Sequence, residues 1–373
     1  MVRHGRENNP TVAGRSTMEL FHANKQWATR PADERFASLR ELHDACKAYA
    51  QTAQEKMVTV GDIRTEAVDG DVRIVGRQNN PAGLTHWAFG QLSARIGAPA
   101  SYLRDLPATL ACQNINHGLA NLADRTDRAN LLFHKNGGLL LRAFTSDKYA
   151  RIWNWEVAER MLGLEAYGWK PAMPTINKTA NDFPAIYASD HDMFAFVSNS
   201  SYRIQEPGNP DGLMRGVIVE NSEVGASALK LTRFLYRAMC SNHIVWGASR
   251  VLEISVRHIG DARQRWSMYN AEIRRYAESS VAEDEKQIGA ARTVKIGTTK
   301  EEVLDKLFGM RALALTRKTL DASYDAVKVD QDGDPRTVWG MVQGLSRFSQ
   351  TQPYADVRTG IDRAAGKLME ANF

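Results

Sequence analysis

The middle third of the sequence constrains the fold most, because it places strand-like segments one after another without a regular helix between them. These segments are rich in Val, Ile, Phe, Leu and Met and span residues 186–188, 193–197, 213–219, 228–236, 244–246 and 251–257. Strands that follow one another in this way usually pair antiparallel. Segment 228–236 also fits a helical period, so both readings stay open there. We therefore expect an α+β fold built on an antiparallel sheet.

The first third of the chain adds hairpins and short helices. Asp69-Gly70 between the apolar segments 57–63 and 72–75 predicts a tight hairpin, and Asn136-Gly137-Gly138 predicts a second one between 130–134 and 139–144. Between them, Thr85 is suited to cap a helix, and Pro99 and Pro107 each suit the start of another. This pattern predicts a helical insert. A further helix is expected to open near Pro31, with Phe36, Leu39, Cys46 and Tyr49 on its apolar face.

The last hundred residues favour helix throughout. Asp261 is suited to cap a long helix, and Thr299 and Glu302 have the spacing of a capping box, with Gly309 as the end of that helix. The three carboxylates at 330, 332 and 334 lack the spacing of a calcium loop and predict a solvated turn. We expect three parts: a flexible basic arm (1–16), an α+β domain (17–259) and an all-helical C-terminal region (260–373).

Composition narrows the class of protein. The chain has 373 residues, 43% of them hydrophobic and 24% charged, which is typical of a globular protein. Its three cysteines, Cys46, Cys112 and Cys240, are far apart and predict no disulfide framework. Residues 1–17 lack the apolar stretch of a signal peptide, and no later segment reads as a membrane span. We expect a cytoplasmic protein of a bacterial host cell that makes no membrane contact.

Cations interleaved with aromatic residues in the middle strands indicate DNA binding. The net charge is +5, and phosphate contacts from Lys and Arg supply most nonspecific affinity for nucleic acid. Tyr236, Trp246 and Trp266 are suited to stack on unpaired bases, unless they are core residues. A helix would place positions 230, 233 and 237 on one face, whereas a strand would divide them between two. The predicted DNA contacts are Lys230, Arg233, Arg237, Asn242, Arg250, Arg257, His258 and Arg263.

Several short segments resemble one known family. They are Ala143-Phe144-Thr145-Ser146-Asp147-Lys148-Tyr149, Asn221-Ser222-Glu223-Val224-Gly225, Cys240-Ser241-Asn242, Arg257-His258 and Thr337-Val338-Trp339. In these segments the chain resembles the phage- and plasmid-borne proteins grouped as the "domain of unknown function" family numbered 932, from about Thr85 onward. The resemblance implies residence on mobile genetic elements and brings no established activity. A small turn residue would be expected where His243 stands.

The sequence leaves three functions open. The leading hypothesis is a phage or plasmid protein that binds DNA, preferably single-stranded, and assists recombination or replication as a homo-oligomer; it needs no cofactor or metal and has no assigned catalytic residue. A metal-dependent nuclease is an alternative, with a divalent ion held by Asp147, Asp190, Asp192 and Glu223. Cys240 with His243 is a weaker nucleophile pair. The third possibility is a protein-binding factor that blocks a host defence.

Overall fold

The computed structural model of the chain describes residues 34–76, 81–135, 138–172, 186–206, 209–237, 242–244, 254–260, 271, 273, 275–276, 281–352 and 355–371. Within these residues the protein has an α+β fold, which confirms the predicted class. Antiparallel strands dominate the first two thirds of the chain, and helices make up the last third. No helix in these ranges is both long and apolar enough to cross a bilayer.

A small sheet and its covering helices form the first part of the fold. The elements in chain order are α1 (Leu39–Gln51), β1 (Ala53–Thr59), β2 (Arg64–Val68), β3 (Asp71–Val75), β4 (Gly83–Leu84), α2 (His86–Arg95), α3 (Ala100–Asp105), α4 (Ala108–Ala120), β5 (Arg128–Lys135) and β6 (Leu139–Ser146). The sheet has the order β1-β5-β6-β4, and only the β4–β6 pair is parallel. Apolar residues of the β2–β3 hairpin and of α2, α3 and α4 pack with those of the sheet in one core.

Local turn and cap chemistry explains much of this part. Asp69 and Gly70 have φ values of 54° and 81°, which is the conformation that a two-residue hairpin loop needs, and β2 pairs with β3 on either side of them. The Thr85 hydroxyl accepts a hydrogen bond from the Ala88 amide at 3.1 Å and so caps α2. These two predictions are confirmed, and so is the second hairpin, which pairs β5 with β6.

Two assignments near the N-terminal end were wrong. The first helix begins at Leu39 and not near Pro31, because the Ser38 hydroxyl accepts a hydrogen bond from the Glu41 amide and caps the helix there. Residues 57–59 do not belong to the hairpin at Asp69-Gly70. They lie in β1, which pairs along its whole length with β5.

A larger antiparallel sheet forms the centre of the molecule. Its elements are α5 (Asn154–Glu165), β7 (Trp169–Pro171), β8 (Ile186–Ala188), β9 (Met193–Glu206), β10 (Asn209–Asn221), β11 (Leu229–Arg237), β12 (Asn242–Ile244) and β13 (Ile254–Val256). The strand order is β12-β11-β10-β9-β7, with β13 on β11 and β8 on β9. Helices α1 and α5 pack against it around the fully buried Trp169. Segment 228–236 is therefore a strand, and its helical reading is excluded.

The C-terminal helices pack around the far end of the β9–β10 hairpin. They are α6 (Ala282–Thr293), α7 (Lys300–Gly309), α8 (Arg317–Asp325), α9 (Val329–Asp332), α10 (Val338–Gln350) and α11 (Ala355–Met369). Ile204 of β9 and Leu213 of β10 are buried in the same apolar core as these helices. The hairpin therefore extends from the core of the large sheet into the helical core.

Caps and ion pairs fix the ends of these helices. The Thr299 hydroxyl accepts a hydrogen bond from the Glu302 amide, and α7 ends at Gly309, as predicted. The solvated turn predicted at residues 330–334 is wrong for Asp332, which is fully buried and forms an ion pair with Arg347 of α10. Arg347 lies 15 residues further along the chain, so this pair depends on the packing of α9 against α10 and not on the local turn.

Candidate functional site

A buried ion pair joins the two sheets. Arg142 of β6 and Glu223, in the loop after β10, are 1% and 3% exposed, and their Nη1 and Oε2 atoms are 3.1 Å apart. The other Glu223 oxygen accepts a hydrogen bond from the Asn154 amide at 2.8 Å. The other Arg142 nitrogen, Nη2, donates to the Asp190 carbonyl at 2.6 Å, and the guanidinium lies 4.4 Å from the Tyr49 ring centroid. A buried charge requires such partners, because desolvation penalises it strongly.

The segment Asn221-Ser222-Glu223-Val224-Gly225, which we call the 221–225 loop, is held through its backbone carbonyls. Tyr149 Oη donates to the Ser222 carbonyl at 2.9 Å, and Arg151 donates to the Glu223 carbonyl. Trp87 Nε1 and Gln91 Nε2, both on α2, donate to the Val224 carbonyl at 3.0 and 2.8 Å. The loop thus connects α2 with the chain that follows β6.

Side chains of the 221–225 loop also donate hydrogen bonds to neighbouring segments. Asn221 Nδ2 donates to the Ile152 carbonyl at 3.0 Å and to Asn154 Oδ1 at 2.8 Å. Ser222 Oγ donates to the His191 carbonyl at 2.6 Å. Together with Glu223, these bonds satisfy polar groups in an interior where an unpaired one would be destabilising. The loop therefore fixes the geometry of three neighbouring segments.

His258 belongs to the same buried cluster. Its ring stacks on Tyr149 at a centroid distance of 5.1 Å, and its carbonyl accepts a hydrogen bond from the Ala150 amide at 2.9 Å. His258 is 4% exposed, and burial, helped by the charge of Arg151, lowers its pKa to about 4. The imidazole is therefore neutral at pH 7. The predicted DNA contact at His258 would require this ring to become exposed, and it stays a prediction.

Three of the segments that carry the family resemblance therefore meet at one place: the 143–149 segment, the 221–225 loop and the Arg257-His258 pair. A model of the family described as "Domain of unknown function (DUF932)" matches residues 146–365, which is more than half of the chain. The chain belongs to the DUF932 family. No curated protein and no solved structure matches it.

The DUF932 match begins at Ser146 and not near Thr85, so it covers the large sheet and most of the C-terminal helices. The small sheet and helices α2 to α4 precede it. Thr337, in the last of the resembling segments, caps α10 by accepting a hydrogen bond from the Gly340 amide at 3.1 Å. Cys240 and Ser241 lie outside the described residues, and Asn242 begins β12.

The predicted DNA contacts do not gather on one described surface. Lys230 is half-buried and lies 3.9 Å from the Glu220 carboxylate, whereas Arg257 is exposed. Positions 230, 233 and 237 all belong to the strand β11, so they do not share the single face that a helix would give them. In a strand, position 230 lies on the opposite face of the sheet from Arg233 and Arg237. Several residues of this prediction lie outside the residues, or the side chains, that the structure describes: Arg233, Arg237, Asn242, Arg250 and Arg263, with the aromatic Tyr236, Trp246 and Trp266.

The carboxylates proposed for a metal lie in different surroundings. Asp147 is exposed, and Asp192 is buried and accepts a hydrogen bond from the Ser189 hydroxyl at 2.6 Å. Asp190 and Glu223 do line one cavity, but Arg142 bonds to the Glu223 carboxylate and to the Asp190 carbonyl. Among the residues that the structure describes, no three His, Cys, Asp or Glu side chains are arranged to hold a metal ion. The Cys240 and His243 pair lies outside the described residues and side chains.

An open cavity of 420 Å³ beside the start of α2 has a basic lining. Arg73, His86 and Arg104 line it, together with Asp71. Arg104 Nη2 donates to the His86 carbonyl at 2.8 Å, and the guanidinium lies 5.0 Å from the Phe89 ring centroid. Arg73 lies 3.6 Å from Asp71. Burial, followed by the positive charges of Arg104 and His191, lowers the pKa of His86.

Sequence reasoning missed the residues that build the buried cluster: Arg142, Arg151 and Asn154. Arg142 had a usable signal, because it is the one charge within the apolar strand Leu139–Ser146. A charge at such a position is buried or marks a special site, and it then requires a partner. The partner, Glu223, lies 81 residues away, so the sequence pattern alone does not identify it.

Proposed function

We propose that this DUF932 protein binds DNA, preferably single-stranded, and that a backbone phosphate enters the cavity lined by Arg73, His86 and Arg104. The observation that carries the proposal is the set of contacts that the Arg104 guanidinium makes. Its guanidinium faces the cavity and bonds to a backbone carbonyl, and no described carboxylate lies within ion-pair distance of it. A guanidinium has five donors in a planar fork that matches the oxygens of a phosphate group.

The other lining groups favour the same ligand. Arg73 adds a second guanidinium, and its neighbour Asp71 offsets only part of the positive charge. Burial and, to a smaller extent, cationic neighbours lower the pKa of His86, so a bound anion would raise it and the site would take up a proton on binding. DNA affinity should therefore increase as the pH falls through the pKa of His86. A sugar-phosphate backbone supplies the anion without any base contact, which suits a binder of low sequence preference.

The proposal is tested by fluorescence anisotropy with labelled single- and double-stranded oligonucleotides over a range of salt concentrations. We expect binding whose logarithm falls linearly with the logarithm of the salt concentration. Arg104→Gln should weaken binding by roughly tenfold and reduce the salt slope by about one. Arg311→Gln, which removes an exposed cation far along the chain, is the matched control and should leave both quantities unchanged.

Two other outcomes point to the alternatives. No anisotropy change at about 50 mM salt, where phosphate contacts are strong, rejects DNA binding and leaves a protein-binding role as the better hypothesis. Cleavage of the oligonucleotide that requires magnesium or manganese supports the nuclease instead, and Glu223→Ala should then abolish it. Equal losses of DNA affinity for the Arg104 and Arg311 variants would reject the cavity as the phosphate site but would leave the proposal of DNA binding in place.

A further inference from the structure

A second cavity, of 390 Å³, lies between α1, the first residue of α5 and the turn after β8. Its lining includes Phe36, Cys46, Tyr49, Asn154, Asp190 and Glu223. The volume is within the range of small-molecule sites, which is about 300–1,000 Å³. The cavity adjoins the buried cluster, because Glu223 and Asn154 belong to both.

The charge of the lining is negative. Asp190 is half-exposed, and its carboxylate lies 3.2 Å from His191 Nδ1; this hydrogen bond, more than the nearby charges of His191 and Arg142, lowers the pKa of Asp190. Asp190 is therefore ionised at neutral pH. Arg142 balances the charge of Glu223, so the Asp190 carboxylate is the charge that the lining offers to a ligand. A cation is favoured here and an anion is not.

A hydrogen-bond donor in the lining has no acceptor among the residues that the structure describes. Asn154 is 3% exposed, and its Oδ1 accepts a hydrogen bond from Asn221. In the part of the chain that the structure describes, its amide nitrogen Nδ2 donates to no protein atom, and the Tyr49 hydroxyl also has no hydrogen-bond partner. A donor that faces a cavity is satisfied when a ligand or a water molecule brings an oxygen acceptor.

Most of the rest of the lining, apart from Ser189, is apolar. Phe36, Ala45 and Ala188 contribute to it, and so does the Cys46 thiol. Burial raises the pKa of Cys46 far above the usual range of a thiol, so this group stays neutral and serves as a wall and not as a nucleophile. An apolar portion of a ligand would therefore be accepted beside the polar groups.

We propose that this cavity binds a small molecule that carries a protonated primary amine, a nearby carbonyl oxygen and an apolar group. The ammonium group binds Asp190, the oxygen accepts from Asn154 Nδ2, and the apolar group packs against Phe36 and Cys46. This site is separate from the basic cavity and does not depend on DNA binding.

Isothermal titration calorimetry with three probes tests each part of this assignment. L-Phenylalaninamide has the amine, the carbonyl and the apolar ring; 3-phenylpropanamide lacks the amine, and 2-phenylethylamine lacks the carbonyl. We expect L-phenylalaninamide to bind, the loss of the amine to weaken binding at least about tenfold, and the loss of the carbonyl to weaken it severalfold. Equal affinity with and without the amine overturns the proposal, as does the failure of all three probes to bind at millimolar concentration.

A pair of variants locates the site. Asp190→Asn keeps the shape of the side chain and removes its charge, and because Asp190 is half-exposed the protein should still fold. We expect this variant to lose the preference for L-phenylalaninamide over 3-phenylpropanamide. Asp147→Asn makes the same change at an exposed aspartate that does not line the cavity and should keep the preference. If Asp190→Asn keeps it as well, the amine does not bind at Asp190 and the assignment fails.

Discussion

Removing water from the charges of Arg142 and Glu223 is unfavourable, and the structure compensates for it with directed hydrogen bonds. Each Glu223 oxygen has its own donor, and Arg142 has a carboxylate, a carbonyl and an aromatic face around it. Such pairs give little net stability compared with an apolar core, but a substitution of one partner alone strongly destabilises the folded protein. The pair therefore contributes mainly to the specificity of the arrangement around the 221–225 loop.

Glu223→Gln should destabilise the protein strongly. The substitution keeps the shape of the side chain and leaves the Arg142 guanidinium buried without a counter-charge, for which the expected loss is roughly 3–5 kcal/mol in the free energy of unfolding. Denaturation with urea measures it. Glu159→Gln, at an exposed position of α5, is the control and should change the free energy by less than about 0.5 kcal/mol. A loss below about 1 kcal/mol for Glu223→Gln would contradict the burial of this pair.

His258 makes stability depend on pH. Its pKa is about 4 in the folded protein and about 6.5 in an unfolded chain, so the unfolded state binds more protons between these values. The contribution of His258 is fully present above pH 6.5 or so and is lost as the pH falls towards 4, by roughly 3 kcal/mol in total. His258→Phe retains a ring that stacks on Tyr149 and removes the titration.

The measurement is the free energy of unfolding of both proteins between pH 7 and pH 5. The wild-type protein should lose stability faster on acidification than the His258→Phe variant does, because only the former takes up a proton at this site. Parallel pH profiles for the two proteins would show that His258 is not buried as a neutral ring.

Helix α10 packs very closely against α8 at a glycine. A Cβ atom added at Gly344 would lie 2.2 Å from the Ser323 carbonyl oxygen, which is backbone and has little freedom to move. Gly344→Ala should therefore force the two helices apart and destabilise the protein by about 1–3 kcal/mol. Gly289→Ala on α6 is the matched control, because nothing lies within 4 Å of its added Cβ. That change should stabilise the protein by about 0.5–1 kcal/mol. Thermal unfolding of both variants checks the pair, and equal shifts would contradict the close packing.

Turns and helix caps that are determined by residues close in sequence were predicted correctly. The turn at Asp69-Gly70 and the caps at Thr85 and Thr299 depend on residues within four positions of each other. The start of α1 was misplaced because Ser38 was not weighed as a cap against Pro31. Strand β1 was assigned to the wrong partner because its true partner, β5, begins 75 residues after the start of β1, and an apolar alternation does not identify a partner.

The candidate site was harder to predict from the sequence than the fold was. The resemblance pointed to the 221–225 loop, to Tyr149 and to His258, but not to their mutual contacts, since Tyr149 and Ser222, which share a hydrogen bond, are 73 positions apart. The cations selected in the middle strands were chosen by their proximity in sequence. On β11 that proximity places positions on alternate faces, and Lys230 lies near Glu220 of the neighbouring strand.

At the scale of the whole molecule, the β9–β10 hairpin connects two cores. Ile204 and Leu213 are fully buried among the C-terminal helices, although both belong to strands of the large sheet. The predicted boundary after residue 259 would therefore separate two apolar residues from the helices that cover them. Domains with separate cores tolerate such a cut, whereas a shared core does not.

A chain that ends at residue 259 should consequently fail to fold as a stable unit. We expect it to bind a hydrophobic dye strongly and to lack a cooperative thermal transition, because the end of the hairpin loses its covering helices. Calorimetry of the fragment and of the full chain gives the comparison. A cooperative transition of the fragment near the melting temperature of the full chain would show that residues 17–259 are an independent domain.

The carbonyls of the 221–225 loop are bound by side chains from α2 and from the segment between β6 and α5. None of these donors is close to the loop in sequence, so the loop acquires its bonds only after the two sheets have come together. Closing such distant contacts is slow and occurs late in folding. Substitutions in this loop should accordingly change how fast the native protein unfolds far more than how fast the chain reaches the native state.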